Sequence, residues 1–259
     1  MTVRRLFRFA LLLVHVVLGI FLTAILAGIL RRSADSPLYR KTARWWLGRI
    51  VRIVGGRVTV QGEPAAPGTL LVSNHVSWLD IPLLGSCTTV NFLSKSEVRD
   101  WPVLGWLADK SGTLFIERGK RDGAKAAADV MVGCLHAAGR VVVFPEGTTT
   151  DGVNMKPFHA RLFAAAVESN APVQPVAIRY LDPQGQSHRL VPYIDQQSLM
   201  DNLWGVLAEP WVGIEVHFLT PIPSRELPRK ALAAYSEQQV RAALGLASLQ
   251  PVGACPAGD

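Results

Sequence analysis

The sequence predicts an α/β domain with a largely parallel central sheet flanked by helices, preceded by an N-terminal membrane-anchoring helical segment. Three observations predict it. Short apolar, β-prone runs alternate with helical stretches, the pattern of a parallel sheet buried on both faces. Residues 9–30 carry no Asp, Glu, Lys or Arg, which suits a bilayer core. The polar motifs of the chain each follow the end of an apolar run. In open α/β sheets, sites gather outside the carboxyl ends of the strands.

The chain has 259 residues, enough for one large α/β domain and an appendage. Apolar residues make up 49% and charged residues 18%, a balance that fits membrane contact. The net charge of +7 and the pI near 9.7 suggest an anionic partner, either lipid headgroups or nucleic acid. An anionic membrane surface fits better than nucleic acid, because the charge sits beside the apolar segment and no nucleic-acid module is recognisable. Cys87, Cys134 and Cys255 form no paired or CxxC pattern, as expected of a reducing compartment.

Residues 1–54 read as the anchor plus an amphipathic interfacial helix. The 9–30 run spans roughly 33 Å as a helix, about the thickness of the hydrocarbon core. It is longer than the apolar region of a cleavable signal and stops at Arg31-Arg32 rather than at small residues. The excess of Arg and Lys on its C-terminal side (Arg31, Arg32, Arg40, Lys41, Arg44) places the following domain on the cytoplasmic side of the membrane. In 38–54, Ala43, Trp46, Leu47, Ile50 and Val54 fall on one helical face, with Lys41, Arg44, Arg49 and Arg52 around the other. Such a helix lies in the membrane interface or on the surface of the domain.

Residues 55–247 form the α/β domain. Strands are expected at 57–60, 69–72, 90–93, 113–116, 141–144, 173–180 and 213–218, the last with an alternating pattern. Helices are expected at 102–110, 122–138, 158–169, 199–207 and 227–244. The Pro/Gly-rich segment 248–259 reads as a loose tail.

The chain is organised around Ser73-Asn74-His75-Val76-Ser77-Trp78-Leu79-Asp80. Ser77 followed three residues later by an acid is a helix-start signature, so His75 sits outside the helix and Asp80 in its first turn. Within one helix the two would point roughly 140° apart; across a strand-to-helix loop they can touch. A carboxylate on one ring nitrogen fixes the tautomer and stabilises the imidazolium formed when the other nitrogen takes a proton. Such a pair is a general base for an alcohol. From spacing alone Asp80 also fits a plain helix cap beside a polar loop residue. Ser77 lacks the Gly-x-Ser-x-Gly elbow of a nucleophile. One His and one Asp are too few for a metal site.

Other strand ends carry Lys95, Glu117-Arg118 and Glu146-Gly147-Thr148-Thr149. Lys95 and Arg118 suit an anionic headgroup. Glu146 suits a substrate hydroxyl, and the backbone near Gly147 a reacting carbonyl.

Asn74-His75-x-Ser77-x-x-Asp80, then Gly112-Thr113-Leu114-Phe115-Ile116-Glu117-Arg118, Phe144-Pro145-Glu146-Gly147-Thr148 and Ala171-Pro172-Val173-Gln174-Pro175-Val176 resemble, in order, the four blocks of the glycerolipid acyltransferase family. That family includes bacterial 1-acylglycerol-3-phosphate acyltransferases. The resemblance covers roughly residues 55–220. It implies transfer of a fatty acyl group from acyl-carrier protein or acyl-CoA to the free hydroxyl of a monoacylated lipid in the bacterial inner membrane. No cofactor is implied; the thioester is a substrate. The resemblance makes His75 the general base and Asp80 its orienting partner, with no acyl-enzyme. It makes Asn74, Ser77, Lys95, Arg118, Glu146, Gly147, Thr148 and Thr149 substrate-binding residues. The block usually reads Glu-Gly-Thr-Arg in phosphatidic-acid-forming members, but here Thr149 stands at the Arg position. With Pro157-Phe158-His159, this resembles the branch that acylates lyso-ornithine lipid; 1-acylglycerol-3-phosphate stays open as the other acceptor, with Arg161 and Arg179 able to supply the lost charge. A hydrolase using the same pair on water, and a non-catalytic lipid-binding protein, are the readings from other classes.

Overall fold

The computed structural model describes residues 2–116, 123–194, 196–225 and 227–246. The expected tail therefore falls outside the described residues, as do Glu117 and Arg118.

Helix α1 (Thr2–Thr23) runs on through a π-helical turn (Ala24–Ile29), and α2 (Pro37–Ile53) follows it. The combined helix Thr2–Ile29 has 28 residues and is long and apolar enough to cross a membrane. α2 starts where the Ser36 hydroxyl accepts the Tyr39 N–H and Pro37 opens the first turn. The two helices are joined by a reciprocal pair of bonds. His15 Nε2 lies 2.9 Å from the Trp46 carbonyl, and the Trp46 indole N–H donates to the His15 carbonyl at 2.9 Å. The one ionisable side chain of the apolar run is thus consumed internally.

Among the described residues seven strands follow, β1 (Gly56–Gln61), β2 (Leu70–Ser73), β3 (Asn91–Lys95), β4 (Leu114–Ile116), β5 (Val141–Val143), β6 (Val173–Leu181) and β7 (Val212–Phe218). They form one sheet in the order β1-β7-β6-β2-β5-β3-β4. Every pair is parallel except β6 with β7. The helices between strands are α3 (Asp80–Cys87), α4 (Leu104–Lys110), α5 (Gly123–His136), α6 (Ala164–Ser169) and α7 (Leu199–Val206), and α8 (Arg229–Leu244) follows the last strand.

The period-two geometry of a strand divides the core into two layers. Leu70, Val72, Val141 and Val143 join the layer holding Met131 of α5 and Leu232 of α8. Leu71 and Val142 face the layer holding Val51 of α2, Leu83 of α3 and Val206 of α7. Continuous apolar runs at β2 and β5 follow from burial on both faces. β7, at whose far edge only β1 remains, alternates buried with half-buried positions.

Three expected helices start late, each for a local reason. α4 begins at Leu104 because Val103 stands at a φ of 64°, outside the helical region; a 3₁₀ turn, Ser96–Asp100, precedes it. α6 begins at Ala164, after a 3₁₀ turn Ala160–Phe163. There the Phe158 N–H is drawn to the Glu237 carboxylate at 2.9 Å and the His159 N–H to the Pro145 carbonyl. α8 begins after Pro228, which lacks an N–H but suits the residue before a first turn.

Both ends of the long N-terminal helix touch the α/β domain. Arg4 and Arg8 donate to the carbonyls of Ala208, Glu209 and Pro210, just beyond the C-terminus of α7. Guanidinium groups there satisfy carbonyls that have no partner within the helix. At the other end Ala24, Ala27 and Gly28 share a cleft with Trp106 and Lys110 of α4.

Candidate active site

β2 delivers Ser73 to the carboxyl edge of the sheet, between β6 and β5. The chain then leaves as a loop and re-enters order as α3 at Asp80. Asn74 is 1% exposed and clamps the loop to β6: its amide donates to the Ile178 carbonyl at 2.9 Å and accepts the Ile178 N–H at 2.8 Å. A side-chain amide thereby replaces the strand ladder just past the end of β2.

The next residue is the expected base. The His75 Nδ1–H donates to Asp80 Oδ2 at 2.7 Å. The same oxygen accepts the Val76 and Ser77 N–H groups at 2.8 and 3.0 Å. Its other oxygen, Oδ1, accepts the Tyr180 hydroxyl at 2.7 Å. Asp80 is fully buried, and four donors offset the cost of placing a carboxylate there. The helix-start signature thus works in the reverse sense to a serine cap. The acid reaches back to the Ser77 N–H, while Ser77 Oγ, itself buried, accepts the Leu79 N–H at 3.4 Å.

The His75 ring stacks on Phe144 at the end of β5, with centroids 3.9 Å apart and planes inclined by 14°. With Nδ1 committed to Asp80, the ring directs Nε2 away from the carboxylate. The His75 side chain keeps 19% of its surface exposed, so the ring is held and still reachable.

The third motif holds the His75 peptide from the side of β5. Glu146 Oε1 accepts the His75 N–H at 2.7 Å, and Oε2 accepts the Lys156 N–H at 2.7 Å. The His75 carbonyl accepts the Thr150 N–H at 2.8 Å. Glu146 is 2% exposed, and burial raises its carboxyl above the ordinary value, partly opposed by those N–H donors. Both of its oxygens serve backbone in this structure, so its visible effect is to hold the His75 loop. Gly147 turns the chain at a φ of 73°, a conformation that favours glycine. Gly147 and Thr148 are exposed beside the loop. The Thr149 hydroxyl donates to the Tyr193 carbonyl.

Asn74, His75, Ser77, Asp80, Glu146, Gly147, Thr148 and Thr149 therefore form one cluster across β2 and β5. Lys95 stands exposed at the carboxyl end of β3, on the far side of β5. Arg118 lies outside the described residues. Tyr180, Phe144 and Thr150 complete the cluster and were not singled out from the sequence. Tyr180 and Phe144 each end a β-prone apolar run, and their meeting with residues 75 and 80 depends on strand order. Burial and the Asp80 carboxylate push the Tyr180 hydroxyl well above its ordinary value, so it stays a proton donor.

Residues 57–179 match the Acyltransferase family model. The chain is 43% identical to the lyso-ornithine lipid O-acyltransferase of Pseudomonas aeruginosa over 245 residues, which is 93% of each chain. This chain belongs to the acyltransferase family. It is also 34% identical to the 1-acyl-sn-glycerol-3-phosphate acyltransferase of Neisseria meningitidis, over 70% of this chain and 72% of that one. The solved 1-acyl-sn-glycerophosphate acyltransferase PlsC of Thermotoga maritima has the same fold, with a TM-score of 0.70 at 19% identity over 94% of both chains. The acyltransferase is thus an enzyme of lipid metabolism that moves acyl groups to lysolipids. Its apolar N-terminal helix is consistent with membrane association.

Proposed function

We propose that this acyltransferase moves a fatty acyl group from an acyl-carrier-protein or acyl-CoA thioester to the hydroxyl of lyso-ornithine lipid. The observation that carries the mechanism is the His75–Asp80 pair, with the ring held on one nitrogen and reachable at the other. The lipid hydroxyl is bound against His75 Nε2 and loses its proton to that nitrogen as its oxygen attacks the thioester carbonyl. The tetrahedral adduct collapses with cleavage of the C–S bond, and the imidazolium returns its proton to the departing thiolate. Asp80 holds the ring and stabilises its charged form throughout. No acyl-enzyme is formed, and no cofactor takes part.

Two observations favour lyso-ornithine lipid over lysophosphatidic acid. The relative at 43% identity is named for that acceptor. Thr149 stands where a phosphate-binding Arg is expected, and its hydroxyl is taken up by the Tyr193 carbonyl. We further read α1 as immersed along one face of the inner membrane, on the cytoplasmic side with the domain. A helix bonded to one domain near its N-terminus and sharing a cleft with it near its C-terminus is poorly placed to cross the bilayer. α2 and its cations then meet the anionic lipid surface.

The test offers the purified protein one labelled acyl-carrier-protein thioester, with lyso-ornithine lipid and lysophosphatidic acid together. Ornithine lipid as the main product supports the acceptor; phosphatidic acid as the main product overturns it. Free fatty acid released without either acceptor would mean that water is the true substrate. His75→Ala is expected to abolish transfer with the circular dichroism spectrum unchanged.

A further inference from the structure

The connection from β3 to β4 leaves a set of large apolar side chains uncovered. Trp101, Val103, Leu104 and Trp106 are 49%, 40%, 44% and 38% exposed within six consecutive positions. Such clustering differs from the single exposed apolar residues of ordinary surfaces. The segment is built to a fixed shape. A Cβ on Gly105 would lie 2.1 Å from the Arg99 carbonyl, so the turn closes only on glycine. Val103 is held at a positive φ, a strained state for a β-branched residue that persists where surrounding structure imposes it.

Two features say what covers this surface. Trp106 borders the same cleft as Ala24, Ala27 and Gly28, so the patch adjoins the C-terminal end of the long helix on which Phe7, Val14, Val17 and Phe21 are exposed. Lys95 and Arg99 precede it and Lys110 ends α4, all exposed; Arg99 and Lys110 are both paired with Asp109, and the exposed Glu97 and Asp100 balance the remaining charge. Tryptophan beside an apolar helix is the composition of a membrane interface.

We infer that residues 101–106 are a second membrane-contact element, which dips into the lipid surface beside α1 at the carboxyl end of β3. It brings the bilayer to the edge of the sheet that carries His75, so a lysolipid can present its hydroxyl while its chain stays in lipid. That purpose rests on the lysolipid reading; the contact itself does not.

The test uses the full chain, with Cys87, Cys134 and Cys255 replaced by serine. An environment-sensitive NBD fluorophore is placed at Leu104→Cys or, as control, at Gln238→Cys on α8, across the sheet. Both proteins are bound to vesicles of phosphatidylethanolamine and phosphatidylglycerol, with and without acyl-chain-brominated lipid. The expected result is a blue-shifted emission at position 104 that brominated lipid quenches, and neither effect at position 238. Aqueous emission at 104, unquenched while the protein floats with the vesicles, overturns the inference. So does a blue shift that brominated lipid leaves intact and that grows with protein concentration, the sign of a second copy covering the patch. None of these readings needs turnover, so a wrong acceptor leaves them unaffected. As a second measurement, the pair Trp101→Ser and Trp106→Ser is expected to raise KM for vesicle-borne lysolipid about tenfold, with turnover of a short-chain acceptor in detergent unchanged. An equal loss in both assays overturns the inference.

Discussion

The Tyr180 hydroxyl donates to the Asp80 oxygen that His75 does not use, at 2.7 Å and out of contact with water. The two residues lie 100 positions apart in the chain and meet because β6 runs beside β2. Tyr180 and the His75 ring are therefore linked through one carboxylate.

Tyr180→Phe should keep the fold and lower kcat by roughly tenfold, the size of one lost hydrogen bond of about 1.4 kcal/mol. KM for both substrates should hardly move, because Tyr180 touches neither. Steady-state kinetics separate the two constants, and a KM change without a kcat change would contradict the positioning role.

Glu146 should make stability fall as pH rises. Burial raises its carboxyl, so the folded chain keeps that proton at pH values where the unfolded chain has released it. The stabilisation is complete below the ordinary carboxyl range and is lost as pH rises through the raised folded value. Urea unfolding between about pH 4 and pH 8 should show that slope in the native chain. Glu146→Gln should remove it. The variant should also lose activity, since one amide oxygen cannot accept both the His75 and Lys156 N–H groups.

Asn74→Ala should leave the Ile178 N–H and carbonyl without their partners in a buried place. The expected cost is about 1–3 kcal/mol of unfolding free energy. Because Asn74 precedes His75 directly, turnover should fall as well. Chemical denaturation of the detergent-purified variant measures the first and the transfer assay the second.

Replacing Arg4 and Arg8 together by alanine should free the carbonyls beyond α7. Hydrogen exchange should quicken at the N-terminus of α1 and around residues 207–210, with the rest of the sheet protected as before. Unchanged protection at both places would mean that the guanidinium bonds contribute nothing to docking.

The contact of His75 with Asp80 was legible in the sequence because both lie within one short loop, where a helix-start pattern fixes their spacing. The alternation of strands and helices was legible because burial on both faces leaves continuous apolar runs. Tyr180 and Phe144 were hidden for a different reason. Each ends a strand, and their meeting with Asp80 and His75 is decided by the strand order β6-β2-β5, which no local pattern encodes. The part of Glu146 in holding His75 was hidden in the same way: its motif announced a carboxylate, while one of its backbone partners, the His75 N–H, lies past the end of another strand. The late starts of α4 and α6 escaped because tertiary bonds and a strained Val103 override helical propensity.

The two-ended attachment of α1 has a mechanical consequence. A helix joined at one end is a tether, and its cargo swings. Joined to the domain near both ends, and lying in the membrane as proposed above, α1 would be a keel that sets the height and tilt of His75 above the lipid. Encounter with a lysolipid then becomes a search in two dimensions at a fixed altitude. The enzyme should feel the lateral pressure and curvature of the surface on which it rides, because any change in how deeply the keel sits moves the base by the same amount.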